Sequence, residues 1–364
     1  MPTNQLYHTL FQHVRQLWPK VRVTQQRNLI WLMIGLYQSK SVHLSHIAMK
    51  IPGAALLVSV ERRLERFLNN SQVSVLQWYE PLARHWLQMA AQTTGEIRLI
   101  VDGTKIGFGF QLVMIALAFR RRAIPITWIW LPYGKGHSSA EQQVTLVNRV
   151  HRWVPVTTQV VLVGDTEFES GTLQHCLTAW GWRYALRQKP NNLVQVPETA
   201  GWHPFGTLVL KPGQTCWLVN ALVTAKHSLT ANVLAYWKPG ETDPWLLATN
   251  LPTMAHTLRA YRRRMWIEEL FGDLKKHGFD LESTHLRQAG RLSRLTLAVV
   301  LLYDWLMLLG VKTIKTGQRR LVDRHDRRDL SVFQIGLRLL ERCLTNLKPF
   351  RIGFFPDTPK LSGS

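Results

Sequence analysis

Three acidic residues stand where a chain could use them together: Asp102 in LIVDG, Asp165 in VVLVGD and Glu268 in YRRRMWIEELFGDLKKHG. Each Asp closes an apolar, β-branched run, which predicts a carboxylate at the edge of a sheet, where sites tend to form. A lone Asp there also serves as a turn or cap residue. Three carboxylates make an all-oxygen donor set, which suits Mg²⁺ or Mn²⁺. Two such ions about 3.5–4 Å apart activate an attacking oxygen and stabilise a leaving one in phosphoryl chemistry. The third carboxylate lies on the expected helix 261–278. At about 100° per residue, Tyr261, Arg264, Glu268 and Lys275 fall within roughly 60° of arc. The apolar Ile267, Leu270, Phe271 and Leu274 form an adjoining stripe. An exposed helix with i,i+4 and i,i+7 charge pairs would give the same spacing.

The whole-chain charge favours phosphate as the target. The 364 residues carry a formal charge of +22, with a pI near 10.5. A polyanion is the simplest partner for such an excess, nucleic acid before membrane. Fifteen tryptophans supply faces for the core and for base stacking. Three scattered cysteines, Cys176, Cys216 and Cys343, form no CxxC pair, so neither a zinc ribbon nor a disulfide framework is expected. The fourteen histidines show no HExxH spacing, and there is no Walker A motif, so ATP is not expected. The N-terminus lacks a signal-peptide core, and LTLAVVLLYDWLMLLG (295–310), broken by Asp304, reads as a buried helix rather than a membrane span.

Several elements must position the carboxylates. EIRLIVDGTKIG, FQLVMIALAF and AIPITWIWLP read as successive strands, with RRR (120–122) as a tight connection. A helix capped by Ser138 or Ser139 follows, then the strand ending at Asp165, a helix over SGTLQHCLTAWG and the strand WRYALRQK. The order β-β-β-α-β-α-β predicts a layered α/β domain with a mixed sheet. Residues 191–252 are Pro- and Gly-punctuated short strands. They precede the Glu268 helix, and two further helices are expected over 287–314 and about 329–345. Residues 1–92 read as helices. SVHLSHIAMKIP and SVERRLERFLNN form a helix-turn-helix-like pair whose Arg62, Arg63 and Arg66 are candidate DNA contacts. Such helical pairs are also common as plain structure.

This pattern resembles the DDE transposases with an RNase H-like core. Tyr261, Arg264, Glu268 and Lys275 match the YREK signature, Y-x2-R-x3-E-x6-K, of the insertion-sequence-four family. The long interval from Asp165 to Glu268 fits that family's β-rich insertion before the Glu helix. The resemblance implies an α/β fold: an RNase H-like mixed sheet flanked by helices, interrupted by a β-rich insertion, with helical N-terminal and C-terminal regions. Its parts would be 1–92 (DNA-binding helices), 95–190 and 253–314 (catalytic core), 191–252 (insertion) and 315–364 (C-terminal helical region and tail).

The resemblance implies that Asp102, Asp165 and Glu268 hold two Mg²⁺ ions, with Mn²⁺ able to substitute. Arg264, Lys275 and the Tyr261 hydroxyl would grip phosphates of an element end. The partners would be double-stranded DNA, namely the element's terminal inverted repeats and its target, and a second copy in a homodimeric synaptic complex. No membrane and no ATP enter, and the setting would be the bacterial cytoplasm and nucleoid. Cut-and-paste relatives pass through a hairpin that flips a base onto an aromatic ring. Met265 follows the signature Arg here, so Trp266, one position on, and Trp245 are the candidates for that ring. Thr104 and Lys105 are possible substrate contacts in an expected turn. Glu167 and Glu169 are not counted as ligands, because SG (170–171) ends the strand beside them. His277 and His285 read as packing or phosphate contacts. A junction-resolving RNase H-like nuclease and a domesticated, non-catalytic DNA-binding protein are the alternatives.

Overall fold

The computed structural model describes residues 2–107, 109–196, 201–224, 229–350 and 353–355. Most of the tail after Phe350, including 356–364, therefore lies outside the described residues. The chain forms two compact units. One comprises residues 1–86, 105–110 and 270–364; the other comprises 87–104 and 111–269.

The first unit is helical. It contains α1 (Pro2–Leu17), α2 (Val23–Ser39), α3 (Leu44–Ala48), α4 (Leu57–Asn69) and most of the first turns of α5 (Val75–Thr94). The expected helix-turn-helix pair corresponds to α3, a little over one turn long, and α4. Val60, Leu64, Phe67 and Leu68 of α4 face the core, while Arg62 and Arg66 are exposed and Arg63 is half-buried.

The C-terminal helices α10 (Ala289–Lys315) and α11 (Val332–Thr345) belong to the same unit. α10 is long and apolar enough to cross a membrane, yet 83% of its apolar window is buried inside the protein. Gly310 and Gly336 let α10 and α11 touch backbone to backbone. A Cβ on Gly336 would sit 1.9 Å from the Leu306 carbonyl oxygen, and one on Gly310 would sit 2.0 Å from that of Val332.

The second unit is built on a ten-stranded sheet in the order β3-β2-β1-β4-β5-β10-β9-β8-β6-β7. β1 (Glu96–Ile106), β2 (Phe110–Phe119) and β3 (Arg122–Leu131) come first in the chain. Arg120 and Arg121 turn between β2 and β3 with positive φ values of 50° and 61°, a left-handed two-residue hairpin turn. Pro125 sits on β3, at the sheet edge where its missing N–H does least harm. α6 (Ala140–His151) opens with a capping box between Ser139 and Gln142. β4 (Gln159–Gly164), α7 (Gly171–Ala179) and β5 (Arg183–Arg187) complete the first part of the core. β1 pairs parallel with β4, and β4 parallel with β5. Helices flank this mixed α/β sheet, as the strand and helix order in the sequence predicts.

The β-rich stretch continues the same sheet. β6 (Leu193–Gln195), β7 (Trp202–Pro204), β8 (Thr215–Val223), β9 (Leu229–Tyr236) and β10 (Trp245–Thr249) join it through the antiparallel β10–β5 pairing. Val194, Phe205, Val223, Val233 and Leu246 form a core of their own beneath these strands.

The expected unbroken helix over 261–278 is not what forms. α8 (Met254–Tyr261) passes into a 3₁₀ turn over Arg262–Arg264, and α9 (Met265–Leu274) follows. A 3₁₀ turn advances about 120° per residue instead of about 100°, so the even angular stripe does not carry through it.

Candidate active site

Sheet register brings the first two carboxylates together. The last parallel pair between β1 and β4 is Val101 with Gly164, so Asp102 and Asp165 are the next residue on each chain. Adjacent strands lie about 4.8 Å apart, which places two carboxylates side by side where the parallel pairing stops. Asp102 is not at a strand end, as the sequence led us to expect. β1 runs on to Ile106 beside β2, so Thr104 and Lys105 also lie in the strand and not in a turn. β4 does end before Asp165, whose carboxylate caps the next 3₁₀ turn by accepting from the Glu167 amide at 3.0 Å.

Two cations knit the carboxylates together. Lys135 Nζ stands 3.1 Å from Asp102 Oδ1 and 3.4 Å from Asp165 Oδ2. Arg264 donates to Asp102 Oδ2 at 3.1 Å and to Glu268 Oε1 at 2.5 Å. The 3₁₀ turn and the first turn of α9 put Arg264 and Glu268 in reach of one another, four residues apart. The Gly103 amide adds a 2.7 Å hydrogen bond to Asp102 Oδ1.

Asp102 is buried, at 1% exposure, while the side chains of Asp165 and Glu268 are 16% and 45% exposed. Burial, with the neighbouring Asp165 charge, pushes the Asp102 carboxyl up to about 6; Lys135 and Arg264 act against that rise. Burial also works against the Lys135 ammonium, but the Asp102 and Asp165 charges outweigh it and the net shift is upward. The two directions describe one cluster. Lys135 gains from two carboxylates, whereas Asp102 gains from its cations and loses to burial and to Asp165.

A network that the sequence reading passed over holds this geometry. Glu167 accepts from Gln111 Nε2 at 2.7 and 2.9 Å, and from the Ser138 amide and hydroxyl at 3.0 and 2.5 Å. Gln143 Nε2 donates to the Glu167 carbonyl at 2.8 Å. Glu167 therefore fastens the Lys135 loop to the Asp165 turn. Gly103 is needed beside it, because a Cβ there would lie 2.2 Å from Gln111 Nε2. Glu169 turns away to Lys189 and Asn192.

The remaining sequence candidates are dispersed. Tyr261 is buried, not on an exposed stripe. Its hydroxyl has no hydrogen-bond partner among the described residues, and burial pushes its pKa up to about 12 although Arg264 and Arg187 oppose this. Trp245 meets the Tyr261 ring edge-on at 5.0 Å, and Trp266 is half-buried. Lys275 belongs to the helical unit and follows the last residue of α9. There it donates to the Lys105 carbonyl at 2.9 Å and lies 3.9 Å from Glu282. His285 packs edge-on against His43 in that unit. Arg63 and Arg66 line a cleft with Tyr7, Arg27, Trp31 and Phe67, and Arg62 lines the neighbouring depression with Arg66.

Among the described residues, no group of three or more His, Cys, Asp and Glu side chains stands close enough to hold a metal ion. The pair Asp102 and Asp165 nonetheless fits a hard divalent cation: both aim oxygens at one positive charge, the Lys135 ammonium, and the donors are all oxygen. Glu268 would join them only by leaving Arg264.

No curated protein sequence matches the chain. Among solved structures, a cryo-EM structure of the piggyBac transposase synaptic complex with hairpin DNA is similar at a TM-score of 0.44 and 10% identity, over 98% of this chain and 86% of that one. The transposase DDE domain model matches residues 94–305, which span β1, the whole sheet, α9 and the first part of α10. Covering well over half of the sequence, and every carboxylate of the cluster, that match establishes that the chain belongs to the transposase DDE domain family.

Proposed function

We propose that this transposase mobilises a bacterial insertion sequence by cutting at the element's ends and joining them to target DNA, in cut-and-paste fashion. The observation that carries the reading is the convergence of Asp102, Asp165 and Glu268 through Lys135 and Arg264 at the point where β1 and β4 part. Bound at Asp102, Asp165 and Glu268, two Mg²⁺ ions, or Mn²⁺ in their place, would supply charge stabilisation at the scissile phosphate and an activated attacking oxygen.

The chain's own residues do the positioning. Asp102 and Asp165 fix the reacting centre to the rigid sheet, and Glu167 holds the adjoining loop. Arg264 is a planar donor that already spans Asp102 and Glu268, so it sits where a phosphate oxygen needs a fixed positive fork. In transposition, water first attacks at the element end. The freed 3′ hydroxyl then attacks the opposite strand to give a hairpin, or attacks target DNA.

Within the family we place the chain with the insertion-sequence-four group, on Tyr261, Arg264, Glu268 and Lys275 at YREK spacing. Lys275 and the Tyr261 hydroxyl would contact the element end, the latter once its buried position opens. Trp245, edge-on to Tyr261, is the better placed of the two candidate rings for a flipped base, ahead of Trp266. Arg62, Arg63 and Arg66 would hold flanking duplex, in a cleft that offers both guanidinium groups and aromatic faces. The active form would be a homodimer joining two ends, with no requirement for ATP, acting in the cytoplasm on the nucleoid.

The test is cleavage of linear DNA that carries the sequences flanking the gene, with purified protein in Mg²⁺. Metal-dependent cuts at a fixed end, absent with Asp102→Ala, are expected, and a hairpin band would establish the pathway. Tight, end-specific binding without cuts in Mg²⁺ and in Mn²⁺ would point to a non-catalytic DNA-binding protein. Absence of end-specific binding, together with cutting of branched DNA, would point to a resolving nuclease.

A further inference from the structure

Two carboxylates on neighbouring strands repel each other, and the repulsion is strongest where one of them is buried. In the absence of a metal the chain must relieve that repulsion from its own residues. Lys135 does so. Its ammonium lies 3.1 Å from Asp102 and 3.4 Å from Asp165, the position of a shared counter-ion.

The setting of Lys135 differs from that of a permanent structural ion pair. Its side chain is 44% exposed, whereas Asp102 is 2% exposed. The ammonium can therefore leave the carboxylates for water without being stranded in an apolar interior. Gly134 and Gly136 flank it, and Gly136 has a positive φ of 94° in open space, so the backbone on both sides resists movement little. The loop is nonetheless pinned close by. Ser138 is fastened to Glu167, and the Tyr133 hydroxyl donates to Gln142 at 2.6 Å. The half-exposed side chain has solvent to swing into, while the neighbouring Tyr133 and Ser138 are held by hydrogen bonds.

We propose that Lys135 is a built-in stand-in cation. It neutralises Asp102 and Asp165 in the metal-free chain and is displaced when a divalent ion binds, so it competes directly with the metal. The inference rests on the reading that Asp102 and Asp165 take a divalent ion. Lys135 is a positioning residue here: it keeps two like charges apart from solvent rearrangement until the metal takes over. Its cost is a weakened metal affinity, because only the fraction of molecules with Lys135 swung out is competent to bind.

The first measurement is Mn²⁺ binding to the full chain without DNA, read by electron paramagnetic resonance of the free ion. Lys135→Met is expected to bind Mn²⁺ about 3–30-fold more tightly than the unaltered chain, the span for removing an ion pair of modest strength. Lys211→Met removes the same charge from an exposed site in the β-rich stretch and is expected to leave affinity unchanged. Lys135→Arg, which restores a competing cation, should return affinity to within about threefold of the unaltered value. Lys135→Gln replaces the Met variant should that one not fold.

A second readout follows the side chain itself. Acylation of Lys135 by an amine-reactive probe, quantified by mass spectrometry, should be faster with Mg²⁺ than with a chelator. Equal or weaker Mn²⁺ affinity in the uncharged variants, or acylation that Mg²⁺ leaves unchanged or slows, would overturn the proposal. Failure of the wider reading looks different: the unaltered chain would then show no Mn²⁺ binding that Asp165→Asn abolishes, and both ideas would fall together.

Discussion

Asp102 and Asp304 are both aspartates sunk in apolar runs, LIVDG and LLYDW, and their exposures are 1% and 0%. Their surroundings differ. Asp102, in the sheet unit, has Lys135, Arg264 and the Gly103 amide within hydrogen-bond reach. Asp304, in the middle of α10 in the helical unit, accepts from the Tyr79 hydroxyl at 2.7 Å, and its other oxygen has no partner among the described residues. Burial pushes the Asp304 carboxyl well above the usual range, and the Tyr79 bond only partly opposes this. The neutral form of Asp304 is therefore favoured, in the middle of the helical core. Asp102 is brought only to about 6, because cations face it. Burial with a single neutral donor thus drives a carboxyl strongly upward. Burial with opposing cations leaves the carboxyl much closer to its ordinary range.

The largest expected effect separates the two outright. Asp102→Asn should reduce end cleavage by about 10³-fold or more, the scale on which reacting centres fail when a member is lost. Asp304→Asn should leave cleavage per folded molecule unchanged. Equal losses in the two variants would erase the distinction. Next in size is Arg264→Lys. Lysine keeps the charge but cannot span Asp102 and Glu268 with one planar fork, so a loss of about 10²-fold is expected in single-turnover cleavage. Full activity would mean that only charge matters at that position.

A third prediction concerns stability in chelator, without DNA. The Asp102 carboxyl titrates near 6 in the fold against an ordinary 3.8. A carboxyl raised on folding stabilises fully below its unfolded pKa, and that contribution is lost as pH rises through the folded one. The unaltered chain should lose up to about 3 kcal/mol between pH 4 and pH 7 through this group. Asp102→Asn should lack that loss, which denaturant melts across the pH range would reveal. Parallel profiles for the two proteins would mean that Asp102 is not strained in the metal-free fold.

What the sequence made legible followed the periodic signals. The three opening strands, β4 ending before Asp165, the capped helix α6 and the buried nature of α10 are all local patterns in hydrophobicity or capping. Asp102 was found for a reason that was only half right: the apolar run LIVDG is there, but β1 continues because its second neighbour, β2, supports it past the end of β4. The helix over 261–278 was misjudged because a uniform 100° rotation cannot foresee a 3₁₀ turn across three arginines, nor the packing of Tyr261 against Trp245. Lys135 left no trace at all. It is a single lysine between two glycines, about thirty residues from either Asp in the sequence, and only the strand order brings it to them. The glycines around it in YGKG mark a loop, but no local pattern says which site that loop meets. The structural role of Glu167 is not legible locally, because its hydrogen bonds to Gln111 and Ser138 come from distant segments that no local pattern joins.

The smallest expected effect sharpens the comparison from the structural side. Tyr79→Phe deletes the hydroxyl that donates to Asp304 and keeps the packing of the ring. Where Asp304 is neutral in both folded and unfolded chains, at low pH, the loss should be about 1 kcal/mol, the ordinary worth of a neutral hydrogen bond. As pH rises above the usual carboxylate range the unfolded chain ionises while the folded one resists, so both proteins lose stability with pH. The variant should lose more, because the hydroxyl that steadied the anion is gone. Replacing both partners, Tyr79→Phe with Asp304→Leu, leaves no polar atom to satisfy and should return stability to about that of the unaltered chain at neutral pH. The corresponding double change at Asp102 and Lys135 should equally restore a folded core, but not cleavage. A Tyr79–Asp304 double variant that folds well yet no longer cuts DNA would give this pair a functional role, and the contrast between the two buried aspartates would collapse.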